Sequence, residues 1–153
     1  FSVNGKLYEG DNNKSSEIGH MILVPNGKRC YCGKKGCVDS YCAARQLHDG
    51  DLQEFFPDLQ AGKPEAVARW NRYLGYLAIV IQNLRVIYDC DIIVGGYVGG
   101  FLADYMPELE RMTMEYNNFD YDASFLHCGK FKWEASAYGV ALRIVDNYLS
   151  TLS

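Results

Sequence analysis

The stretch EIGHMILVPNGKRCYCGKKGC, from Glu17 to Cys37, constrains this chain more than any other, because it sets one histidine and three cysteines around a turn rich in glycine and lysine. The spacing is His20, nine residues, Cys30, one residue, Cys32, four residues, Cys37. Structural zinc takes four tetrahedral ligands from thiolate and imidazole, and three cysteines with one histidine are a common set. Gly33 and Gly36 supply the permissive backbone needed to wrap a chain around an ion. Lys28, Arg29, Lys34 and Lys35 offset the charge of three thiolates, and the Asn26-Gly27 turn can bring Cys30 back towards His20. His20, Cys30, Cys32 and Cys37 are therefore the candidate metal ligands, with Cys42 a nearby spare. The competing reading is a group of ordinary buried thiols beside a satisfied polar histidine. A disulfide between Cys30 and Cys32 is disfavoured by the demanding geometry of that bond.

Six cysteines in 153 residues imply either disulfides in a secreted domain or thiolate ligands in a reducing compartment. A chain of this length with 48% hydrophobic residues can bury the core of one domain and does not need disulfides for stability. Cys42, Cys90 and Cys128 then read as small buried apolar residues. The net charge of −4 argues against a nucleic-acid-binding surface on this piece. No apolar run approaches a membrane span and the opening residues carry no signal-peptide pattern, so a cytoplasmic protein without membrane contact is expected.

Asn4-Gly5 is a strong hairpin signal, with a short strand before it and a longer one expected after it. Such a stub implies a C-terminal piece of a larger protein. Met21 to Val24 reads as a strand closed by Pro25-Asn26-Gly27, and Val38 to His48 as a helix capped by Asp39 or Ser40. Lys63-Pro64-Glu65 opens the clearest helix, with apolar or aromatic residues at 67, 70, 74, 77, 81, 84 and 88; Ile79, Val80 and Ile87 broaden its buried face. Asp91 to Val94 is a strand ending in Gly95-Gly96, followed by a helix through Phe101, Leu102, Tyr105, Met106, Leu109 and Met112. Residues 124–128 suggest another strand, and Trp133 to Leu152 a last helix with Tyr138, Leu142, Val145 and Leu149 on one face. Strands alternating with helices indicate an α/β architecture.

Glu17-Ile18-Gly19-His20, Gly27, and Cys30-x-Cys32-Gly33-x-x-Gly36-Cys37-x-Asp39 together resemble the second signature of the ROK family, which groups sugar-responsive repressors with sugar kinases. The segments Asn4 to Gly10, Tyr88 to Gly96 and Glu134 to Ala141 are similar to its hairpin, its glycine-rich turn and its closing helix, in the expected order. The resemblance implies a ribonuclease-H-like, actin-like ATPase fold, of which residues 1–153 form one C-terminal lobe for sugar binding and oligomerisation. It also implies structural zinc on His20, Cys30, Cys32 and Cys37, sugar hydroxyls on Glu17, His20 and Asp39, and nucleotide at Gly95 and Gly96. Carboxylates suit that task, since each oxygen accepts from a hydroxyl.

Three positions depart from the family pattern. Asp39 stands where glutamate is usual, Ser16 where glycine is usual, and Tyr97 follows Gly95-Gly96 in place of a third glycine, with Gly99-Gly100 a possible compensation by a shifted loop. The phosphate-binding and catalytic-base motifs of the family's kinases belong to the other lobe, so no catalytic residue is assigned and the isolated chain is expected to be inactive as a kinase. The expected whole is a sugar-responsive transcriptional regulator, nearest the repressor type that responds to N-acetylglucosamine or xylose. It would bind a sugar or sugar phosphate here and DNA through a further N-terminal domain. The alternative is the C-terminal half of an ATP- and Mg-dependent sugar kinase of glucokinase or fructokinase type. A homodimer is expected in either case.

Overall fold

The structure, a computed structural model, describes residues 1–131 and 134–152. Asn4 and Gly5 take φ of 53° and 74° and close a hairpin between β1 (Ser2–Val3) and β2 (Lys6–Leu7). The second strand is no longer than the first, because the chain turns at Gly10 (φ 72°) and the Ser15 hydroxyl takes the Tyr8 carbonyl. The strand expected over Met21–Val24 is not formed. Leu23 and Val24 both donate to one carbonyl, that of Gly36, and Ile22 makes a single bridge to Cys37 before Asn26 (φ 58°) folds the chain back.

The helix expected over 38–48 is broken into α1 (Asp39–Cys42) and a 3-10 turn at Ala44–Gln46. The Tyr73 hydroxyl takes the Cys42 carbonyl at 2.9 Å, removing an acceptor that continuation would use, and Ala43 is extended. Asp39 and Ser40 do not cap α1. Val38 holds the cap position, already helical, and makes no side-chain capping bond. A helix absent from the sequence reading, α2 (Leu52–Gln60), begins at Asp51, whose carboxylate accepts from the Gln53 amide at 2.9 Å. It buries Leu52, Phe55, Phe56 and Leu59 in spite of Pro57.

Helix α3 (Pro64–Tyr88) has the expected bounds, with Pro64 in its first turn and Asp89 left-handed at its end. Trp70, Leu74, Ala78 and Ile81 face the core, but the last turn emerges and leaves Val86, Ile87 and Tyr88 exposed, so Ile87 does not widen the buried face. Next, β3 (Ile92–Val94) pairs in parallel with β4 (Leu126–Cys128), Ile92 opposite Leu126. The crossover contains α4 (Gly96–Leu102), a 3-10 turn at Ala103–Tyr105 and α5 (Met106–Met114). The single helix expected there is interrupted where Pro107, which has no N–H to donate, opens α5. The last helix, α6, runs Ala135–Ser150; Trp133 lies outside the described residues. Tyr138, Leu142, Val145 and Leu149 of α6 are exposed. Among the described residues no helix is long and apolar enough to cross a membrane.

The core lies between α2, α3 and α5. Leu74, Leu102 and Leu109 are fully buried, and Trp70 meets the rings of Phe56 and Tyr105. Removing such apolar area from water is the main favourable term in folding. Near the end of α3, Arg85 makes a two-bonded fork on Asp120 (2.7 and 3.1 Å), and Asn117 donates to the same carboxylate. Arg85, and then Asn117, hold the Asp120 carboxyl below its ordinary range. Its contribution to stability is present above the ordinary aspartate pKa and is lost as pH falls through the lowered folded value. Denaturant midpoints measured through that acid window should fall more steeply for the unaltered chain than for Asp120→Asn; parallel curves would contradict the pairing.

Candidate metal centre and sugar-reading edge

Residues 21–38 fold as a compact knuckle. The Gly33 amide donates to the Cys30 carbonyl (3.0 Å), Cys30 to Lys34 (2.8 Å) and Gly36 to Lys28 (2.8 Å). Gly36 is required twice over: its φ is 85°, and a Cβ would lie 1.9 Å from the Val24 carbonyl oxygen. The knuckle is held to the helical core through Tyr41. Its hydroxyl accepts from the Lys28 amide (2.7 Å), and its ring lies 4.6 Å from that of Tyr76 on α3.

This folding gathers His20, Cys30, Cys32 and Cys37, the residues singled out by spacing. One donor atom from each lies within 4.8 Å of all the others. The Cys32 and Cys37 sulfurs are 3.7 Å apart. Two sulfurs on one tetrahedral zinc, each about 2.3 Å from it, would stand roughly 3.8 Å apart. His20 Nδ1 is buried without a hydrogen-bond partner among the described residues, while Nε2 lies 3.3 Å from the Tyr31 hydroxyl. Nδ1 is therefore the nitrogen free to bind an ion, and the residues fit a metal chemically and in reach. The Cys30 thiol is drawn down to about 7, chiefly by the Cys32 backbone amide, whereas burial pushes Cys37 up to about 11. Burial also raises Cys42, to about 12, and it lies outside the cluster. All six cysteines are free thiols.

On the outer side of His20 lies a second set of groups. The Tyr31 hydroxyl, beside Nε2, also faces the Asp39 carboxylate, whose acceptor oxygens and negative charge raise the phenol above its ordinary pKa. Asp39 reaches this place because Gly19 has no side chain: a Cβ there would stand 2.6 Å from Asp39 Oδ1. A tyrosine hydroxyl both accepts and donates, so it can accept a hydrogen bond from Nε2–H and donate one to Asp39. A sugar hydroxyl makes the same pair of bonds. Glu17 is exposed at the head of the Ile18–His20 turn, with its carbonyl accepting from the His20 amide. Tyr31 was not singled out by sequence; its place between two cysteines was the available signal.

Ser16, at the head of the motif, has φ of 63°. A left-handed residue with a side chain costs about 1–2 kcal/mol, which glycine does not incur. Ser16→Gly should therefore stabilise the chain by about 1 kcal/mol in chemical unfolding, and a destabilised variant would contradict this. At the other motif, Gly95 is extended and Gly96, with φ of 71°, opens α4 directly after β3. The Tyr97 hydroxyl donates to Asp51 at 3.1 Å, which ties the ring to the start of α2.

The family model described as "ROK family" matches residues 1–144. The chain belongs to the ROK family. It is 33% identical over 149 residues to N-acetylmannosamine kinase of Escherichia coli, which covers 90% of this chain and 50% of that protein. N-acetylmannosamine kinase of Vibrio cholerae is 30% identical over 117 residues, 71% of this chain and 41% of that one. A Streptomyces griseus ROK glucokinase, solved with glucose and AMPPNP, superposes with a TM-score of 0.70 at 20% identity, over 87% of this chain and 52% of its own. The chain thus shares the ribonuclease-H-like fold of ROK sugar kinases and spans about half the length of the curated relatives it matches. These relatives are kinases, so the expectation of a repressor, and of the N-acetylglucosamine or xylose type in particular, gains no support from them and the kinase alternative does.

Proposed function

We propose that this chain is the sugar-reading lobe of an ATP-dependent sugar kinase, stabilised by a structural zinc ion. The observation that carries the reading is the arrangement of His20, Tyr31 and Asp39 around one hydroxyl position, on a loop whose four metal-binding groups already converge. The kinase relatives supply the reaction type. His20, Cys30, Cys32 and Cys37 would hold the ion, which would supply rigidity here. Bound through Nδ1, His20 keeps its proton on Nε2 and presents it as a donor, a tautomer fixed by the bond on the other nitrogen. Asp39 and Glu17 accept from sugar hydroxyls. A hydroxyl missing from the sugar leaves a buried acceptor unpaired, and this is the source of discrimination. Gly95 and Gly96 would hold the ATP phosphates through their backbone amides, and the nucleotide would carry magnesium.

Calorimetric titration of the full-length protein with glucose, N-acetylglucosamine and N-acetylmannosamine tests the sugar-reading role. Saturable binding of at least one, weakened in Asp39→Asn, is expected. Binding that ignores Asp39 would place the sugar elsewhere.

A further inference from the structure

Two cavities lie between the knuckle, α1 and α3. One, of about 240 Å³, is bordered by Lys28, Arg69 and Arg72; the other, of about 370 Å³, by Lys28, Arg29 and Arg45. They adjoin through Lys28 and Gln46, which line both, and among the described residues no aspartate or glutamate lines either one. This concentration of positive charge occurs in a chain whose net charge is −4.

The pairing of the arginines sharpens the contrast. The chain has seven. Arg85, Arg111 and Arg143 lie outside the cleft, and each forms an ion pair with a carboxylate. Arg29, Arg45, Arg69 and Arg72 border the cleft, and none has a carboxylate partner among the described residues. Arg69 donates to the Leu47 carbonyl (2.8 Å) and Arg45 lies over the Tyr31 ring (5.3 Å). Arg69 also borders a separate cavity on its far side that contains Glu54, Asp58 and Glu65, so it marks the edge of the basic region. Lys28 Nζ bonds Gln46 Oε1 at 2.9 Å, a neutral acceptor. On the floor, Tyr41 and Tyr76 present aromatic rings.

We propose that this cleft binds a small phosphate monoester. Arginines supplied to the lining by the knuckle, the 3-10 turn and α3 suit a dianion with three acceptor oxygens, since each offers a planar fork of donors. The tyrosine rings offer a surface for the apolar body of the ester, which inorganic phosphate lacks. The larger cavity alone lies within the size range of small-molecule pockets, about 300–1,000 Å³, and the smaller one extends it. The cleft meets the sugar-reading edge at Tyr31, whose hydroxyl faces Asp39 and whose ring carries Arg45, so an occupant would bear on the sugar site by moving Tyr31. The proposal does not depend on the kinase reading, as the cationic lining is the same in a regulator.

The test is calorimetric titration of the zinc-loaded, full-length protein with glucose-6-phosphate, glucose and inorganic phosphate. Arg45→Gln and Arg72→Gln, both at exposed positions, should each weaken glucose-6-phosphate binding by about tenfold, the usual size for a charge-assisted hydrogen bond. Arg111→Gln, outside the cleft, should leave it unchanged, and Asp39→Asn should change it far less than either cleft variant. No saturable binding, or binding indifferent to both cleft variants, overturns the proposal. Loss of binding in Asp39→Asn overturns it by placing the ester in the sugar site, which also separates its failure from that of the kinase reading. Equal affinity for inorganic phosphate overturns it by making the cleft an adventitious anion patch.

Discussion

Cys37→Ser should empty the metal centre. Cys37 is 1% exposed and its sulfur lies 3.7 Å from that of Cys32, so this change removes the most enclosed of the four ligands and leaves a shorter, harder oxygen in its place. Metal content is expected to fall from one zinc per chain to under about a tenth, because structural sites need their full tetrahedral set. Binding of structural zinc is itself folding free energy. Losing even 3–5 kcal/mol of it should lower the thermal midpoint by about 10–20 °C in a domain of this size. Metal analysis and a melting curve check both effects, and a chelator should reproduce the second in the unaltered protein. Acidification should act in the same direction. With Cys30 near 7 and Cys37 near 11, bound protons compete with the ion, and apparent zinc affinity should fall as the medium is acidified. A variant that keeps its zinc and its midpoint would show that the four groups converge for packing alone.

Asp39→Ala should have the largest effect on sugar use. One carboxylate can read two adjacent hydroxyls, and each bond to a charged group is worth about 1.5–3 kcal/mol. Losing both should lower kcat/KM, or sugar affinity, by about a hundredfold or more, with little change in the thermal midpoint because Asp39 caps nothing and is only half-buried. Asp39→Glu, which restores the usual acid of the family pattern, should retain much of the activity. An Asp39→Ala variant with unchanged kcat/KM would remove Asp39 from the sugar site. Tyr31→Phe gives a useful contrast: it frees His20 Nε2 and Asp39 from the one hydroxyl that occupies both, and sugar affinity should hold or improve.

The convergence of His20, Cys30, Cys32 and Cys37 was legible in the sequence because the four residues are local. From His20 to Cys37 the chain needs two turns, and the glycines that make them are written in the motif. Helix α3 was legible for a similar reason, since a three-and-four repeat of apolar residues between Pro64 and Tyr88 has one helical solution. Helix α2 was missed although Asp51 caps it and Leu52, Phe55, Phe56 and Leu59 share one face; the interior Pro57 masked that pattern. The break at Ala43 depends on a hydroxyl from Tyr73, thirty-one positions from the Cys42 carbonyl it binds, and no local signal reports such a bond. The same is true of Asp39. Its sequence suits a helix cap, but its position against Gly19 and Tyr31 is a tertiary fact. The basic cleft is likewise assembled from three separate segments, and in a chain of negative net charge the composition conceals it.

The most direct test of the account is to incubate the full-length, zinc-loaded protein with ATP, magnesium and N-acetylmannosamine or glucose, and to read the product by mass. A sugar heavier by one phosphoryl group is expected, formed with stoichiometric ADP and suppressed in Asp39→Ala. Intact sugar and ATP, together with sugar-dependent binding to DNA, would contradict it and return the protein to the regulators of its family.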